Sequence, residues 1–599
     1  MKQNEHLHAM RHTCAHILAA AVQKLYPTAK FGVGPVVDNG FYYDILFPQP
    51  ISEDDLAKIE AEMINLVNAK LPMEKSEMSL DEAIKFFGDL GQEFKVELLT
   101  DLKEKGTTKI NPEESGDVDL ERPDVATIYK TGEFIDLCRG PHLSNTGEIK
   151  SFQLEKLAGA YWRGDENKTQ LQRIYGLCFQ RKSDLDAYLT MMEEARKRDH
   201  RKLGQELDLF TFSPLVGPGL PLFTDRGTTV RDALTAFVWA LMKPYGYSRV
   251  NIPHLAKSDL YKTSGHWDKF SDDIFHVSSK KTDDEFVLKP MNCPHHTQIY
   301  ASKIRSYRDL PIRMSEVTAV YRDENSGQLQ GLTRVRSITQ DDAHVFCRMD
   351  QVKEESMAIY EIITKFYNAF AMPLKIRLST HDPEKMEKYL GSVEVWDNSV
   401  GILKELLAEM GKDYETGIGE AAFYGPKLDF IATDAIGREW QLATLQLDFN
   451  LPERFQLEYT DSDGEKKRPV MLHRAILGSV ERFMGVLIEH YAGAFPMWLA
   501  PEQIRVATVS DDFVGFAKQL VQDLDKAGLR ASLDDSSEKV GKKIRTAATS
   551  KVPWTIVIGQ KEVDGGDFRI NVFGEDEDLT VAHGEIIERA DEAAKMPIE

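Results

Sequence analysis

Val320-Tyr-Arg-Asp-Glu-Asn-Ser-Gly327 and, four residues later, Leu332-Thr-Arg-Val-Arg336 carry the strongest architectural signal in this chain. An arginine on one strand, a polar loop and a second strand with more arginines predict a β-hairpin. Such a hairpin would present fixed guanidinium forks, which match phosphate groups. A surface hairpin held by ion pairs would show the same pattern, so the signal needs support from the sequence around it.

A second signal is Gly478-Ser-Val-Glu-Arg482, in a helix-like stretch. An arginine one turn beyond a glycine can approach a flat nucleotide closely, although this short pattern also occurs by chance. Around both signals, strand-like segments connect by turns rather than by regular crossover helices, and Asp463-Gly464 is typical of a hairpin tip. The pattern predicts an antiparallel sheet flanked by helices, with strands at 286–288, 312–321, 333–339, 428–432, 440–449 and 455–460.

The 599 residues exceed what one hydrophobic core supports, and four segments differ in pattern. Residues 1–182 mix helices and strands, and residues 183–204 predict one charged amphipathic helix. Residues 205–498 hold the antiparallel sheet and open with 213–221, a Pro/Gly-rich run that cannot be helical. Residues 499–599 predict a small α/β domain with a largely parallel sheet, because strands and helices alternate at 505–509, 513–527, 530–533, 540–549 and 554–558.

The formal net charge of −22 is unusual for a protein that binds nucleic acid. Net charge describes solubility and steering, however, and binding needs only a local basic surface. Two basic stretches exist: Arg196, Lys197, Arg198, Arg201 and Lys202, and then Lys539, Lys542, Lys543, Arg545 and Lys551. Each could equally be a solvated helix face, which is the commoner role of an isolated charge run.

Cysteine use and hydropathy predict the compartment. Five cysteines without a Cys-x-x-Cys pair argue against a disulfide framework and fit a reducing cytosol. The longest apolar run near the N-terminus, 17–22, is too short for a membrane span and lacks the layout of a signal peptide. We therefore expect a cytoplasmic protein with no membrane partner.

One thiol and two imidazoles, Cys293, His344 and His473, make a good zinc set. Three protein ligands leave a tetrahedral ion one open position, which is typical of a working metal rather than a structural one. Spacing alone would not pair residues this far apart. Each lies beside a second signal, either a nucleotide-handling arginine or a cluster of amides and carboxylates, so we expect them to meet at a substrate site.

A second group of metal-ligating types lies near the N-terminus. His12-Thr-Cys-Ala-His16 places two histidines on one helix face, and Cys138-Arg-Gly-Pro-His142 follows a strand with Asp136 beside it. The residues alone predict metal ligation by two histidines, a cysteine and a third histidine. A core histidine with satisfied hydrogen bonds would explain any one of the four residues, but not all of them.

The two arginine signals, in this order and at these distances, resemble motifs 2 and 3 of the class II aminoacyl-tRNA synthetases. The helix 230–242 and the strand 249–252 resemble motif 1, which builds the dimer interface in that class. Prolyl and seryl relatives share motifs 2 and 3 but lack this Cys/His/His set. Local stretches narrow the resemblance to the threonyl-tRNA synthetase family over almost the whole chain: Thr263-Ser-Gly-His-Trp-Asp268, Lys289-Pro-Met-Asn-Cys-Pro294, Thr339-Gln-Asp-Asp-Ala-His344, Phe423-Tyr-Gly-Pro-Lys427 and Met471-Leu-His-Arg-Ala-Ile-Leu-Gly-Ser-Val-Glu-Arg-Phe483.

The resemblance implies an α/β and α+β multidomain chain built around the class II antiparallel sheet. The implied domains are an editing domain (1–182), a linker helix (183–204), a class II catalytic domain (205–498) and an α/β anticodon-binding domain (499–599). The implied reaction is ATP-dependent activation of L-threonine and its transfer to tRNA(Thr). Mg²⁺ would accompany ATP, and each subunit of a homodimer would hold one Zn²⁺.

The resemblance also implies roles for individual residues. Arg322 would contact the α-phosphate of ATP and the substrate carboxylate, and Glu324 would accept from the adenine amino group. Arg334 would hold phosphate, and Arg482 would stack on adenine. Lys427 would lie near the reacting groups. Cys293, His344 and His473 would hold the zinc, and the substrate pockets would be lined by Met291, Gln340, Asp342, Tyr424, Gln441, Gln446 and Ser479.

The two ends of the chain receive roles in the same way. The N-terminal pattern resembles an editing domain that hydrolyses mischarged seryl-tRNA without zinc, although a relative in alanyl-type editing proteins binds metal. The metal question therefore stays open. Arg545 and Glu562 are the candidates for anticodon base contacts, with neighbouring lysines on phosphates. His12, His16, Cys138 and His142 would position water and the 3′-terminal ribose, assisted by Lys95 and Asp136.

The chain departs from the family pattern at four places. It starts where the editing domain starts, whereas most bacterial relatives carry a small ubiquitin-like domain before it. His295 stands where glycine is usual and adds a nitrogen near the metal set. Ile338 replaces an aromatic residue over adenine, which predicts weaker ATP binding. Ser550-Lys551 replaces a common Arg-Arg pair.

Two other functions compete with the active ligase. One is a non-catalytic, synthetase-like RNA-binding translational regulator, and the other is a ligase with an inactive editing site. A paralogue released from catalysis is expected to lose some of its ATP and zinc residues, and all of them are present here. The four intact His/Cys residues near the N-terminus argue against an inactive editing site.

Overall fold

A computed structural model of the chain describes residues 2–106, 125–165 and 167–598. The chain divides into two compact units, Met1–Glu193 and Glu194–Glu599. The elements up to the unit boundary are α1 (Lys2–Leu25), β1 (Lys30–Phe31), β2 (Val36–Val37), β3 (Gly40–Leu46), α2 (Leu56–Asn68), β4 (Met73–Ser79), α3 (Leu80–Asp89), α4 (Glu93–Lys105), β5 (Val125–Thr131), β6 (Phe134–Leu137), β7 (Ser151–Tyr161), β8 (Gln170–Phe179) and α5 (Lys182–Lys197).

The first unit is built around α1 and two antiparallel sheets. One sheet has the order β1-β3-β8-β7 with β2 paired to β3, and the other has the order β4-β5-β6. Residues 17–22 of α1 are almost completely buried in the core. This explains the apolar run near the N-terminus, which belongs to a core helix. No helix among the described residues has both the length and the apolarity of a membrane span.

The second unit begins with the elements of a large sheet and its helices. They are α6 (His200–Glu206), β9 (Phe210–Thr211), β10 (Leu222–Phe223), α7 (Asp225–Met242), β11 (Ser248–Arg249), β12 (Leu255–Lys257), α8 (Ser258–Ser264), α9 (His266–Lys269), β13 (His276–Val277), β14 (Phe286–Leu288), α10 (Cys293–Ala301), β15 (Ile312–Tyr321), β16 (Ser337–Cys347), α11 (Val352–Asn368), β17 (Leu374–Thr380), α12 (Val393–Glu409), β18 (Glu415–Ile418), β19 (Lys427–Thr433), β20 (Glu439–Asp448), α13 (Asn450–Arg454), β21 (Tyr459–Thr460), β22 (Lys466–Lys467), β23 (Val470–Ala475) and α14 (Val480–His490).

The large sheet has the order β11-β15-β16-β23-β20-β19-β17-β18. It is antiparallel except where β11 joins β15 and where β18 joins β17, which confirms the predicted antiparallel architecture. Side chains alternate between its faces. Ala343 and Val345 point into the main core with α7, α11 and α14, whereas Asp342 and His344 point to the opposite face. That opposite face carries the candidate site.

The C-terminal part of the second unit forms a smaller α/β layer. Its elements are β24 (Ile504–Thr508), α15 (Val514–Lys526), β25 (Ala531–Asp534), α16 (Val540–Thr549), β26 (Trp554–Ile558), α17 (Gln560–Val563), β27 (Phe568–Val572), β28 (Leu579–Val581) and α18 (Ile586–Ala593). Strands β25, β24 and β26 are parallel, as predicted, but β27 and β28 join antiparallel. The sheet is therefore mixed rather than largely parallel.

Several predicted elements were wrong in extent. The helix expected at 230–242 starts earlier, at Asp225, and the strand expected at 249–252 ends at Arg249, because Ile252 N donates to the Glu316 side chain instead of a strand. The helix 183–204 is broken before α6, because the Asp199 side chain accepts from Arg201 N at 2.8 Å and caps a new helix. The strand expected at 333–339 begins only at Ser337, since Thr333 and Arg334 donate back to Gln330 O in a turn. The strand expected at 455–460 is confined to β21, because the backbone N–H groups of 455–457 donate back to carbonyls of α13 in a turn.

Candidate active site and neighbouring clusters

Cross-strand register brings the predicted metal set together. His344 on β16 lies directly opposite His473 on β23, and Cys293 begins α10 on the same side of the sheet. One ligand atom from each of the three lies within 4.8 Å of the other two, and all three residues are buried. Residues separated by as many as 180 positions therefore converge on one point.

Hydrogen bonds orient the two imidazoles. His473 Nε2 lies 2.8 Å from Asp448 Oδ2, so Nε2 carries the proton and Nδ1 is left as an acceptor. His344 Nδ1 lies 2.7 Å from His296 Nδ1, and His296 Nε2 faces Glu316 Oε2 at 3.8 Å. These partners turn His344 Nε2 toward His473 Nδ1, as second-shell groups do at metal sites.

The donor set fits zinc. His344 Nε2 and His473 Nδ1 are 3.1 Å apart, close to the roughly 3.3 Å that two nitrogens adopt on a tetrahedral zinc with Zn–N bonds of about 2.05 Å. Burial, followed by the charges of Asp342 and Asp448, raises the pKa of the Cys293 thiol well above its ordinary value. A bound cation is what would hold this sulfur as a thiolate.

The predicted amino-acid pocket lies on the same face. Gln340, Asp342 and His344 alternate along β16, and Asp342 Oδ2 accepts from Asn292 Nδ2 at 3.0 Å. The Tyr424 ring lies 5.0 Å from the His473 ring. Two more residues of the predicted pocket lie close by. Gln446 on β20 pairs with His473 on β23, and Met291 Sδ lies 3.0 Å from His266 Nε2.

Lys427 and Gln441 belong to the same face in different ways. Lys427 pairs with Gln446 in the β19–β20 register, and its ammonium binds the buried carboxylate of Asp429. Gln441 pairs with Ile431, and a β-bulge separates it from Gln446 along β20. The bulge shifts the alternation of side chains by one residue, so Gln441 and Gln446 share a face although they are five positions apart. Gln441 is exposed. It therefore lies at the open edge of this face, whereas Lys427 lies near its centre.

The arginine hairpin forms a second polar group. Arg334 donates from Nε to Glu324 Oε2 at 2.8 Å, and Arg336 donates to Glu324 O at 2.8–2.9 Å. The Arg322 guanidinium lies over the Phe270 ring at 5.3 Å, and burial lowers its pKa despite the charges of Glu324 and Asp273. A buried guanidinium with a depressed pKa is well suited to receive an anionic ligand.

The second arginine signal starts a helix beside β16. Gly478 has φ +73°, and its missing side chain leaves room for Leu442 O, which would lie 2.7 Å from a Cβ. Ser479 caps α14 by accepting from Arg482 N at 3.2 Å, and burial lowers the pKa of Arg482. Glu481 accepts from the Thr339 backbone and hydroxyl at 2.7 and 2.6 Å. This turn is thus tied to β16.

The sequence did not single out three residues that contact the metal set. Asp448 and His296 orient its imidazoles, and His266 Nε2 lies 3.9 Å from Cys293 Sγ. The stretches that hold His266 and His296 were visible, but only tertiary contact shows their placement. His295 is buried in α10 with ordinary helical geometry and stays outside the cluster. Its bulk therefore does not strain the backbone.

The N-terminal His/Cys group also assembles. His12 and His16 lie on α1, and Cys138 follows β6. Cys138 Sγ lies 3.2 Å from His12 Nε2 and 3.2 Å from His142 Nε2. Burial, followed by neighbouring positive charge, lowers the pKa of His16 and of His142 well below the ordinary value. Both imidazoles are therefore neutral near pH 7 and resist protonation.

A buried ion pair adjoins this group. Asp136 binds Lys95 Nζ at 2.6 Å and accepts from Tyr43 Oη at 2.5 Å, and it lies 3.5 Å from His16 Nε2. Lys95 also donates to Tyr43 Oη at 3.1 Å. All of these groups are almost inaccessible. The six residues predicted for this site are thus brought together, four in the His/Cys group and two beside it.

The chain is similar to known proteins over nearly its whole length. A threonine–tRNA ligase from Parabacteroides distasonis is 46% identical over 577 residues, which cover 96% of this chain and 86% of the relative. A threonine–tRNA ligase from Thermosynechococcus vestitus is 48% identical over 571 residues, which cover 94% of this chain and 91% of the relative. The chain belongs to the threonine–tRNA ligase family.

Family models locate the family's parts in this chain. The class II synthetase core domain (G, H, P, S and T) matches residues 275–491, and the anticodon binding domain matches 503–592. The second additional domain of threonyl and alanyl synthetases matches 126–175, which includes Asp136, Cys138 and His142. A solved structure titled the RNA binding domain of threonyl-tRNA synthetase from Cryptosporidium parvum aligns with a TM-score of 0.63 at 35% identity, covering 66% of this chain and 98% of that one.

Within the anticodon domain of this threonine–tRNA ligase family member, the two predicted contact residues differ. Arg545 is exposed on α16. Glu562 is 8% exposed, and its Oε2 accepts from Gly559 N at 2.9 Å at the start of α17. Lys543, one of the five residues of the second basic stretch, is buried and donates to Thr508 O at 2.9 Å, so it does not belong to a basic surface. A long lysine stem can be buried when backbone oxygens satisfy its ammonium.

Proposed function

We propose that this member of the family is an active, cytoplasmic threonine–tRNA ligase that holds one zinc ion per subunit and edits mischarged seryl-tRNA(Thr). The observation that carries the proposal is the convergence of Cys293, His344 and His473 on the sheet face that also presents the amino-acid pocket. The arginine hairpin, residues 320–336, connects β15 to β16 and so lies at one end of these two strands.

In this proposal, Cys293, His344 and His473 would hold a zinc ion, which would act as a Lewis acid toward the amino and hydroxyl groups of threonine. The chain itself orients the substrate. Asp342 and Gln446 lie beside the two histidines, where they can bind the amino group and fix the side chain. Tyr424 packs against His473 and excludes water from that side.

In the activation step, the threonine carboxylate reacts with the α-phosphate of ATP, which is bound together with Mg²⁺. A carboxylate oxygen attacks the α-phosphorus, and pyrophosphate leaves with the electron pair of the broken P–O bond. Arg322 stabilises the charge on the α-phosphate, and Arg334 and Lys427 hold neighbouring oxygens. We assign adenine to the space between Ile338 and Arg482, with Ser479 at its edge. Oε2 of Glu324 accepts from Arg334, so we assign Oε1 to the adenine amino group.

Such a site rejects valine much better than serine. Valine lacks the hydroxyl, so its binding would leave polar groups of the site without partners. Serine lacks only a methyl group, which is worth about 1–3 kcal/mol, or roughly tenfold to a few hundredfold. The enzyme therefore needs the second site in the first unit.

We assign editing to His12, His16, Cys138 and His142, four residues whose ligand atoms lie within 4.8 Å of one another and could also hold a metal ion. The imidazoles of His16 and His142 are neutral at pH 7, because burial lowers the pKa of both, and each can hydrogen-bond to water or to the terminal ribose and position it. Lys95 fixes the Asp136 carboxylate beside His16. Hydrolysis breaks the ester between serine and the ribose and returns tRNA(Thr) for another round.

The remaining assignments concern assembly and tRNA. We assign residues 1–182 to editing, 183–204 to a linker, 205–498 to catalysis and 499–599 to anticodon binding, with Arg545 as the stronger contact candidate because it is exposed. We also propose a homodimer. Apolar side chains ahead of α7 are exposed, including Leu215 at 99%, and would suit such an interface.

Threonine-dependent ATP–pyrophosphate exchange tests the ligase. Threonine should support exchange, serine should support it at an efficiency roughly tenfold to a few hundredfold lower, and valine should give little. Absence of threonine-dependent exchange would sink the proposal and leave an RNA-binding protein on a synthetase scaffold. Equal exchange with threonine and valine would contradict the zinc-based selection.

A further inference from the structure

His200, the first residue of α6, lies outside the sites described above and is 3% exposed. Its ring lies near Asp199 and Glu489, a grouping that could hold a metal ion. The hydrogen bonds of the ring argue against that use. They point instead to a mechanical connection between the arginine hairpin and α14.

Both ring nitrogens of His200 are engaged. Leu332 N donates to Nε2 at 3.0 Å, and a backbone amide can only donate, so Nε2 is unprotonated. The proton is then on Nδ1, which lies 2.6 Å from Glu489 Oε1. A metal ion would have to displace one of these bonds.

Glu489 is itself fixed near the end of α14. Its Oε1 accepts from the backbone N of His200 at 3.1 Å, and its Oε2 binds Arg438 at 2.6 Å. Burial raises the pKa of Glu489, but the bonds from His200 and the charge of Arg438 outweigh burial and lower it overall. The carboxylate is therefore a permanent acceptor for His200.

Gly331 leaves the His200 ring its space, and Gly485 lies on the other side of the ring at an ordinary contact distance. A Cβ on Gly331, which has φ +51°, would lie 2.3 Å from His200 Nε2. A Cβ on Gly485 would lie 3.5 Å from His200 Cδ2. The ring thus lies between the returning limb of the hairpin and α14 and is hydrogen-bonded to both.

We propose that His200 is a positioning residue that tethers the returning limb of the hairpin to α14 and so places Arg334 for ATP. Leu332 is fully buried, and its N–H has His200 as acceptor. Two residues further on, Arg334 reaches Glu324. The inference rests on the role proposed above for Arg334 and Glu324 in ATP binding.

Two substitutions separate the two bonds of the ring. In His200→Asn, the amide can replace Nδ1–H toward Glu489 but does not reach Leu332. In His200→Gln, the carbonyl reaches the position of Nε2 and can accept from Leu332, while the backbone N–H of residue 200 keeps the link to Glu489 on α14. Loss of the tether in His200→Asn should raise KM for ATP in threonine-dependent exchange about three- to tenfold, with KM for threonine unchanged. His200→Gln should stay within about twofold of the wild type.

Hydrogen–deuterium exchange of residues 329–336 in the full chain gives a second readout. The segment should exchange faster in His200→Asn and stay protected in His200→Gln. A wild-type KM for ATP together with a protected segment in His200→Asn would overturn the inference, as would equal losses of thermal stability in both variants at constant KM. If the wild type shows no threonine-dependent exchange, the proposed function fails, and the deuterium measurement still decides whether the tether exists.

Discussion

Ile338 on β16 lies opposite Val320 in the register and is partly exposed on the face that we assign to adenine. An aliphatic side chain buries the ring but lacks the stacking energy of an aromatic residue, about 0.5–1.5 kcal/mol. Ile338→Phe should therefore lower KM for ATP about two- to tenfold in pyrophosphate exchange. Ile338→Leu is the matched control and should leave KM unchanged. An unchanged KM in the phenylalanine variant would count against stacking at this position.

At the scale of the residue, chemistry could be predicted better than orientation. Cys293, His344 and His473 could be recognised as ligand types beside other signals, and the structure brings them together. Asp448 and His296 could not be recognised, because their contacts depend on strand register and on the placement of α10. Short motifs encode which groups are present, whereas register decides which nitrogen faces the site.

The turn into α14 depends on a glycine. Gly478 has φ +73°, and a Cβ there would lie 2.7 Å from Leu442 O. Gly478→Ala should lower the free energy of unfolding by about 1–3 kcal/mol, from left-handed strain and this contact. Gly401→Ala in α12 is the control, since a Cβ there meets nothing within 4 Å and should stabilise the helix by about 0.5–1 kcal/mol. Urea unfolding of both variants checks the pair, and equal effects would contradict the strain.

Strongly patterned elements were predicted well. Helix 540–549 and strand 554–558 agree with α16 and β26, and the run 213–221 forms no helix. Errors arose where one side chain changed the local structure. Asp199 caps a new helix inside an otherwise continuous amphipathic pattern. Because of the turn after Gln330, β16 starts later in the sequence than predicted. The hydrogen bonds of that turn could not be predicted from the spacing of apolar residues.

Helix α1 carries a buried imidazole whose titration affects stability. Burial, followed by the charges of His12 and Lys95, lowers the pKa of His16 well below its ordinary value of 6.5. As pH falls below about 6.5, the unfolded chain binds a proton on His16 that the folded chain does not bind. The free energy of unfolding of the first unit should therefore fall by up to about 1.4 kcal/mol per pH unit from this group.

Pulse proteolysis in urea between pH 7.5 and 5 can follow the first unit in the full chain. In His16→Asn, unfolding should take up about one proton fewer. The free energy of unfolding of the variant should therefore fall less steeply as the pH is lowered. The sign is fixed by the depressed pKa: stability is lost as pH falls, not as it rises. An identical slope in the variant would show that His16 titrates alike in the folded and unfolded states.

The two proposed chemistries, threonine activation and editing, lie in different compact units of the molecule. Cys138→Ala alters only the first unit, so threonine activation should be unchanged. Seryl-tRNA(Thr) should accumulate in charging reactions with serine, because the site that removes it is impaired. Gel analysis of charged tRNA with labelled serine measures this accumulation. Continued hydrolysis of seryl-tRNA(Thr) by the variant would remove Cys138 from the editing site.

The family could be identified from sequence because motifs from both units point to the same enzyme. Family membership favours the ligase over the non-catalytic regulator. Assembly could not be derived in the same way. Motif 1 suggests a dimer, but an interface is made by surfaces of two chains, and exposed residues such as Leu215 do not by themselves specify a partner.

The proposed selection of threonine depends on a zinc ion held by Cys293, His344 and His473. Zinc content and threonine-dependent exchange, measured together on Cys293→Ser, test it most directly. The wild type should contain one zinc per chain and activate threonine, and Cys293→Ser should lose both. Cys347→Ala, at another buried thiol outside the cluster, should keep both. Retention of zinc and of threonine activation in Cys293→Ser would contradict the account.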